Sequence, residues 1–332
     1  MIFVTGGTGL VGSHLLLKLA DRGENILALK RKNSNIRNVE QLFKLNKSQE
    51  IFHKIKWIEG DILDVTFLEE ALKGVKTVIH TAAYVSFNEK DENQIIQTNV
   101  NGTEALINES IQSDVENFIY ISSIAAMDDF NPATKLIDES STWNTESKHS
   151  SYAYSKYRAE MEVWKGSQEG LNVIVLNPSV IIGSYDGFRE SERIFQDKLI
   201  NQFSPTGGTG FVDVRDVVNI LIKAFDDKQF NQKFIVNAEN KTYFDVLSKA
   251  ASKRNKVVNI LSNKTLKLIQ IVSNFNKLIG GQSINQGTYK ALTTFTSYDN
   301  SKSIKTFDYQ YIPVNEAIDH HFTNYQAIIS SK

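Results

Sequence analysis

The chain has 332 residues, enough to bury one large core or a large domain with a smaller partner. Its 41% hydrophobic and 23% charged content is ordinary for a soluble globular protein, and a formal net charge of −1 gives no electrostatic reason to expect nucleic acid or an anionic membrane as partner. Six histidines and no cysteine leave little material for a zinc site and none for a disulfide, which fits a reducing compartment.

Ile2–Thr5 reads as a strand that runs straight into Thr5-Gly-Gly-Thr-Gly-Leu-Val-Gly12 and the helix Leu10–Arg22. No basic leader with an apolar run precedes it, and no apolar stretch is long enough to span a membrane, so a cytoplasmic protein is expected. A glycine-rich turn between strand and helix lets backbone N–H groups approach a pyrophosphate, and the helix N-terminus adds positive potential. Gly6, Gly7, Thr8 and Gly9 form the turn; Leu10, Val11 and Gly12 open the helix. Gly7-x-Gly9-x-x-Gly12 fits the general dinucleotide fingerprint, and Thr5-Gly6-x-x-Gly9-x-x-Gly12 a narrower one.

The second strand, Ile26–Lys30, ends where an acid about 20 residues past such a turn usually binds the ribose 2′-OH of NAD. Here Lys30, Arg31 and Lys32 follow instead, with no acid. Three cations would pair with a 2′-phosphate, Arg31 bidentately, so NADP(H) is expected to be preferred and NAD(H) is possible. A solvated basic loop is the bland alternative. After the third strand, Ile55–Glu59, Asp61 and Ile62 lie where a carboxylate could accept from the adenine amino group. Val65–Leu72 reads as a helix, and Thr77–His80 as the fourth strand. Ala82 and Ala83 after it are small enough for the nicotinamide half to lie close to the backbone. Glu89–Gln112 reads as one helix, in which Asn99 could brace a helix or hold a water behind a catalytic lysine.

The fifth strand, Phe118–Ser122, leads to Ser122 and Ser123, whose hydroxyls would meet a substrate oxygen. The helix Tyr152–Gln168 then carries Tyr152 and, one turn on, Lys156. A free phenol has a pKa of about 10, too high for efficient proton transfer near neutrality. An ammonium on the same face would stabilise the phenolate, and could also bond the nicotinamide ribose. A surface i,i+4 pair is the bland alternative; Tyr154 is the competing phenol, with Arg158 as its partner. No Gly-x-Ser-x-Gly elbow appears. His14 and His80 read as packing residues, the adjacent His320 and His321 would diverge on a helix, and no metal is expected.

Val173–Asn177 is the sixth strand. Ser179 to Gly210 is polar and reads as loops, Phe211–Val218 leads into a helix ending at Phe225, and Lys233–Asn237 is one more strand. Helices separated by polar turns follow Thr242. Strand–helix alternation argues for an α/β fold, a doubly wound parallel sheet with ligands beyond the carboxyl ends of its strands. Residues 1–178, with 211–237 returning, form the expected Rossmann cofactor domain. Residues 179–210 and 238–332 form a smaller substrate-binding subdomain.

The glycine turn, Gly60-Asp61-Ile62, His80-Thr-Ala-Ala83, Asn99-Val-Asn-Gly-Thr103, Ile121-Ser-Ser-Ile-Ala125, Tyr152-x-x-x-Lys156, Asn177-Pro178-Ser179 and Tyr298-Asp-Asn-Ser-Lys302 occur in order over nearly the whole chain. In this the chain resembles the extended short-chain dehydrogenase/reductase (NAD-dependent epimerase/dehydratase) family. The resemblance implies catalytic Ser123, Tyr152 and Lys156 with Asn99 assisting, and cofactor contacts from Asn177, Pro178 and Ser179. The nearest likeness is to the dihydroflavonol-reductase and 3β-hydroxysteroid-dehydrogenase-like branch, whose NADPH-holding arginine Arg31 matches. The sugar-nucleotide epimerases carry an acid where Lys30 stands, and an arginine just before the segment Phe211-Val-Asp-Val214, where Thr209 and Gly210 stand here; Arg189, Arg193 and Arg215 could substitute. Ile124 after Ser123 departs from the acidic pair of the dehydratases. The implied activity is NADP(H)-dependent interconversion of a small-molecule carbonyl and a secondary alcohol, with Tyr152 as acid/base and a homodimer possible. A nucleotide-sugar epimerase with tightly bound NAD and a non-catalytic NADP(H)-sensing protein are the alternatives.

Overall fold

The computed structural model describes residues 1–86, 88–184, 203–277 and 286–330. Seven parallel strands make the main sheet: β1 (Ile2–Thr5), β2 (Ile26–Lys30), β3 (Ile55–Glu59), β4 (Thr77–His80), β5 (Asn117–Ile121), β6 (Asn172–Pro178) and β10 (Gln232–Val236). Their order, β10-β6-β5-β4-β1-β2-β3, reverses direction between β1 and β4, and so opens a crevice beyond the ends of those two strands. Most of these strands are nearly continuous apolar runs because helices cover both faces. Alternate residues divide between two cores. Ile2, Val4, Ile119 and Ile174 pack with α1 (Leu10–Asp21) and α7 (Val214–Asp226) on one side. Phe3, Phe118, Tyr120 and Val173 pack with α3 (Val65–Ala71), α5 (Gly102–Gln112) and α6 (Ser151–Gln168) on the other.

The single helix expected over Glu89–Gln112 is broken. A 3₁₀ turn at Glu89–Asp91 leads to α4 (Glu92–Ile96), then a π-helical turn Gln97–Asn101 precedes α5. The cause sits inside the π turn. The Asn99 side chain is clamped to the Tyr84 backbone, accepting from its N–H at 2.7 Å and donating to its carbonyl at 3.0 Å, which holds a widened turn in register with the strand exit. α6 starts one residue earlier than expected because Ser150 caps it, its hydroxyl accepting from Ala153 N at 3.1 Å.

The stretch expected to be loops contains strand. β7 (Val180–Ile182) and β9 (Gly208–Asp213) pair in parallel, and β11 (Glu239–Thr242) pairs antiparallel to β9. The glycines of β9 read as turn residues, but they permit close approach. A Cβ at Gly208 would strike the Phe295 ring, and one at Gly210 the Asn237 side chain. A two-stranded pair joins β8 (Phe203–Ser204) to β12 (Asn259–Ile260). Arg189 and Arg193 lie outside the described residues.

Of the remaining helices, α2 (Arg37–Leu45) follows β2, while α8 (Tyr243–Ser252) and α12 (Val314–Ser330) join Ile182 and Phe211 in a third cluster. α9 (Asn263–Lys277) and α10 (Gln286–Thr293) lie between them in the chain. α11 (Ser301–Phe307) crosses back onto the large sheet. Phe307 packs with its ring tilted 53° and 4.9 Å from that of Phe234 of β10, and Asp216 of α7 accepts from Tyr309 Oη at 2.7 Å and Ile312 N at 3.0 Å. Along β10, Ile235 N donates to Glu139 at 2.8 Å, Ile235 O accepts from Ser303 Oγ at 3.1 Å and Lys233 O accepts from Lys302 Nζ at 2.9 Å.

Candidate active site

The glycine turn closes on itself. Gly6 takes a left-handed φ of 70°, and Gly9 N donates to Gly6 O at 2.7 Å. A Cβ at Gly6 would run into Ala82 N and Thr81 Oγ1, and one at Gly12 into Gly6 O. Gly9 caps α1 with extended backbone and no side-chain bond, so the first N–H groups of the helix stay available to an anion. This donor set, in a cradle with no room for a side chain, fits the pyrophosphate of a dinucleotide. Thr8 and Val11 are half-buried at its rim, while Gly7 and Leu10 are buried against the sheet.

Behind the turn runs a network of hydroxyls that sequence reasoning missed. Thr5 Oγ1 lies 2.6 Å from His80 Nδ1, and His80 Nε2 lies 3.0 Å from Thr103 Oγ1, which itself donates to Asn99 O at 2.6 Å. With the Thr103 proton committed, Nε2 of His80 carries the ring proton and Nδ1 accepts from Thr5. Burial, then the charge of Lys156, pushes His80 down to about 3, so it stays neutral. The histidine therefore ties the exits of β1 and β4 together, beyond simple packing.

On the adenosine side the cations separate. Lys30 and Glu59 stand opposite each other in the β2–β3 register and form an ion pair at 2.6 Å. Lys30 is thus already engaged, while Arg31 and Lys32 are exposed. Asp61 is exposed and its Oδ1 accepts from Leu63 N at 3.0 Å; Ile62 is buried beneath Gly102. Ala82 is half-buried and Ala83 exposed at the exit of β4.

The two serines after β5 face different ways. Ser122 is buried, and its hydroxyl donates to Glu160 Oε2 at 2.7 Å. Ser123 keeps extended backbone, caps the turn Ile124–Ala126, and is hydrogen-bonded through its side chain to Tyr152. The structure thus brings Ser123 and Tyr152 together and turns Ser122 away. Burial pushes the Tyr152 phenol up to about 12 against the opposing Ser123 hydrogen bond. This departs from the expected lowering by Lys156, because that ammonium is directed elsewhere. Lys156 Nζ donates to Tyr120 Oη at 3.1 Å and Ile121 O at 2.8 Å, and lies 4.7 Å from the Tyr120 ring centroid. Burial brings Lys156 down to about 7, with the Glu160 charge pulling it upward.

Glu160 is the second residue the sequence reading missed. It is buried, accepting from Ser122, from Asn177 Nδ2 at 2.9 Å and from Trp164 Nε1 at 3.4 Å. Its signal was present, since Tyr152, Lys156 and Glu160 repeat every four residues on one helix face. Asn177 also donates to Ser123 O at 3.1 Å, so it positions the serine from behind. Pro178 is buried, and Ser179 is bonded to Val236 O through its N–H and hydroxyl. Asn99 donates to Ser155 Oγ at 2.9 Å besides clasping Tyr84. Tyr154 is exposed and accepts from Arg158 at 3.0 Å, beside a cleft of about 370 Å³ whose walls include Trp143 and His149. A protonated phenol paired with a hydroxyl can donate a proton to an oxygen that gains electrons.

The model of the NAD dependent epimerase/dehydratase family matches residues 2–238. A Synechocystis protein provisionally named dihydroflavonol 4-reductase is 32% identical over 65% of this chain, which spans 60% of that relative's length. Sterol demethylase protein B of Methylococcus capsulatus is 30% identical over 74% of this chain and 71% of its own. Among solved structures, gox2253 superposes with a TM-score of 0.81 at 25% identity, covering 98% of both chains. Yeast methylglyoxal/isovaleraldehyde reductase Gre2, solved with NADPH, shares the fold at a TM-score of 0.71 and 21% identity, with 99% of each chain covered. The chain belongs to the NAD-dependent epimerase/dehydratase family of extended short-chain dehydrogenases/reductases, enzymes that work with a bound nicotinamide dinucleotide.

Proposed function

We propose that this chain reduces a carbonyl to a secondary alcohol with NADPH, and runs the reverse oxidation, with Tyr152 as acid/base. The observation that carries the reading is the Ser123–Tyr152 pair at the end of β5, with the phenol protonated across the neutral range. When bound, the nicotinamide supplies the hydride to the carbonyl carbon. Tyr152 passes its proton to the carbonyl oxygen while Ser123 stabilises the charge developing there. Lys156, bonded here to Tyr120 Oη and Ile121 O and not to the phenol, would hold the nicotinamide ribose with its ammonium, Glu160 sustains that charge, and Asn99 and Asn177 hold the surrounding backbone in place. The stretch around α11, expected to belong to the substrate-facing subdomain, packs on β10 instead. The direct test is NADPH oxidation by the purified protein, followed by absorbance against a panel of ketones and aldehydes; no turnover with any of them would sink the assignment.

Lys156 must stay charged for this role, which makes the rate pH-dependent. With its pKa near 7, the ammonium is present below that value and lost above it, so kcat/KM should fall on the alkaline side. Removing the Glu160 charge removes an upward pull, so Glu160→Gln should move that fall to lower pH. A profile that keeps its position while the rate drops uniformly would mean that Glu160 only supports the fold.

The cofactor preference rests on Arg31, with Lys32 beside it, now that Lys30 is paired. Losing a charge-assisted bond to the 2′-phosphate costs on the order of 1.5–3 kcal/mol, roughly tenfold or more in affinity. Arg31→Ala should therefore weaken NADPH and spare NADH in calorimetric titrations. Equal affinity of the parent protein for both would refute the preference.

For the substrate we favour a small or lipid-like carbonyl over a nucleotide sugar. At the position where epimerases present an arginine, Thr209 is hydrogen-bonded to Tyr298 and Gly210 is packed on Asn237. Arg215 is held by both oxygens of Asp213, at 2.9 and 2.7 Å. The relative named sterol demethylase protein B also favours a lipid-like substrate. Thermal-shift titration with UDP- and GDP-sugars in the presence of NADPH checks this; saturable stabilisation by any of them would support the epimerase reading.

A further inference from the structure

The near-neutral total charge conceals a strong local imbalance. Between residues 246 and 298 there are eight cations and no Asp or Glu. The whole chain carries −1, so the remainder carries −9. Lys249 and Lys253 are answered by Asp319 of α12, whereas Lys256, Lys264, Lys267 and Lys290 are exposed.

The same segment exposes its aliphatic residues. At 100° per residue, Lys264, Leu268, Ile271 and Val272 share one face of α9. Leu268 is 61% exposed, Val272 51% and Ile271 45%, while the opposite face turns Leu266 and Gln270 inward. Gln270 is buried and accepts from Lys267 Nζ at 2.9 Å. The helix thus turns a polar amide inward beside Leu266 while Leu268, Ile271 and Val272 face solvent. The loop leading into it adds Val257, 78% exposed, and Ile260, 56% exposed.

We propose that this face docks on an anionic lipid surface, with the aliphatic side chains entering the headgroup–acyl boundary and the lysines meeting lipid phosphates. Among the described residues no helix is long and apolar enough to cross a membrane, so the attachment is peripheral. A second copy of the chain is a poor occupant, because a two-fold contact would set the same cations against each other. Nucleic acid fits the charge but not the aliphatic residues, since stacking platforms are aromatic. The proposal does not depend on the reaction assigned to Tyr152.

Co-sedimentation of the full-length protein with phosphatidylcholine vesicles, with and without phosphatidylglycerol, tests it. Binding should require phosphatidylglycerol and weaken as salt rises. The surface variant Leu268→Ser/Val272→Ser should keep the parent's circular dichroism and unfolding temperature yet bind at least tenfold more weakly. Lys256→Glu/Lys264→Glu should cost roughly fivefold for each cation lost, and more for the reversal. Absence of binding to the mixed vesicles at low salt, or binding indifferent to both variants, would overturn the proposal. So would light scattering that shows a dimer dissociated by Leu268→Ser/Val272→Ser, which would make the face a subunit contact.

Discussion

Tyr152→Phe should lower turnover by about 10²–10⁴-fold, the usual contribution of a positioned general acid, while NADPH affinity stays nearly unchanged. The ring remains and only the oxygen bonded to Ser123 is lost, so the fold should lose no more than about 0.5–1.5 kcal/mol for one hydrogen bond. Lys156→Met differs in kind. It removes both the ammonium that would hold the nicotinamide ribose and the donor that bonds Tyr120 Oη and Ile121 O behind the catalytic pair, so turnover and cofactor affinity should fall together. Stopped-flow hydride transfer together with cofactor titration separates the two patterns. Substantial turnover by Tyr152→Phe would show that another group carries the proton.

The second large effect belongs to Gly12→Ala. Its Cβ would overlap Gly6 O, a backbone atom that cannot move without opening the turn. Overpacking of this kind costs about 1–3 kcal/mol, and since the displaced atoms form the pyrophosphate cradle, NADPH affinity should fall between about tenfold and a hundredfold. Gly23→Ala is the control. Gly23 also has a left-handed φ, 76°, but a Cβ there meets nothing within 4 Å. That variant should lose stability through backbone strain and keep its cofactor affinity. Equal weakening of NADPH by both would mean that general destabilisation, not the cradle, is responsible.

The parallel sheet was legible because its strands are buried on both faces and so stand out as short apolar runs, Phe118 to Ile121 and Val173 to Leu176 among them. The glycine turn was legible because the strand before it and the helix after it are adjacent in the chain, and Gly12 answers to Gly6 within the turn itself. What escaped depends on partners far away in sequence. The pairing of Lys30 with Glu59 follows from strand order, and the choice between Ser122 and Ser123 follows from a carboxylate 38 residues on. The π turn at Asn99 needs Tyr84, and β9 hides behind glycines whose reason is Phe295 and Asn237. α2 passed unmarked although Val39, Leu42 and Phe43 have helical spacing, because few apolar residues stand among its charges.

β10 is the last strand on its side of the sheet, and its outer backbone groups meet side chains instead of another strand: Glu139 at Ile235 N, Ser303 at Ile235 O, Lys302 at Lys233 O. A row of open N–H and C=O groups is a template for pairing with another chain, so these three side chains guard against aggregation. Two of the three lie more than sixty residues downstream of the strand they protect. During synthesis the sheet can therefore assemble on the ribosome well before its margin is sealed. In that interval an emerging chain is open to strand exchange with its neighbours, until Lys302 and Ser303 have left the exit tunnel and closed it.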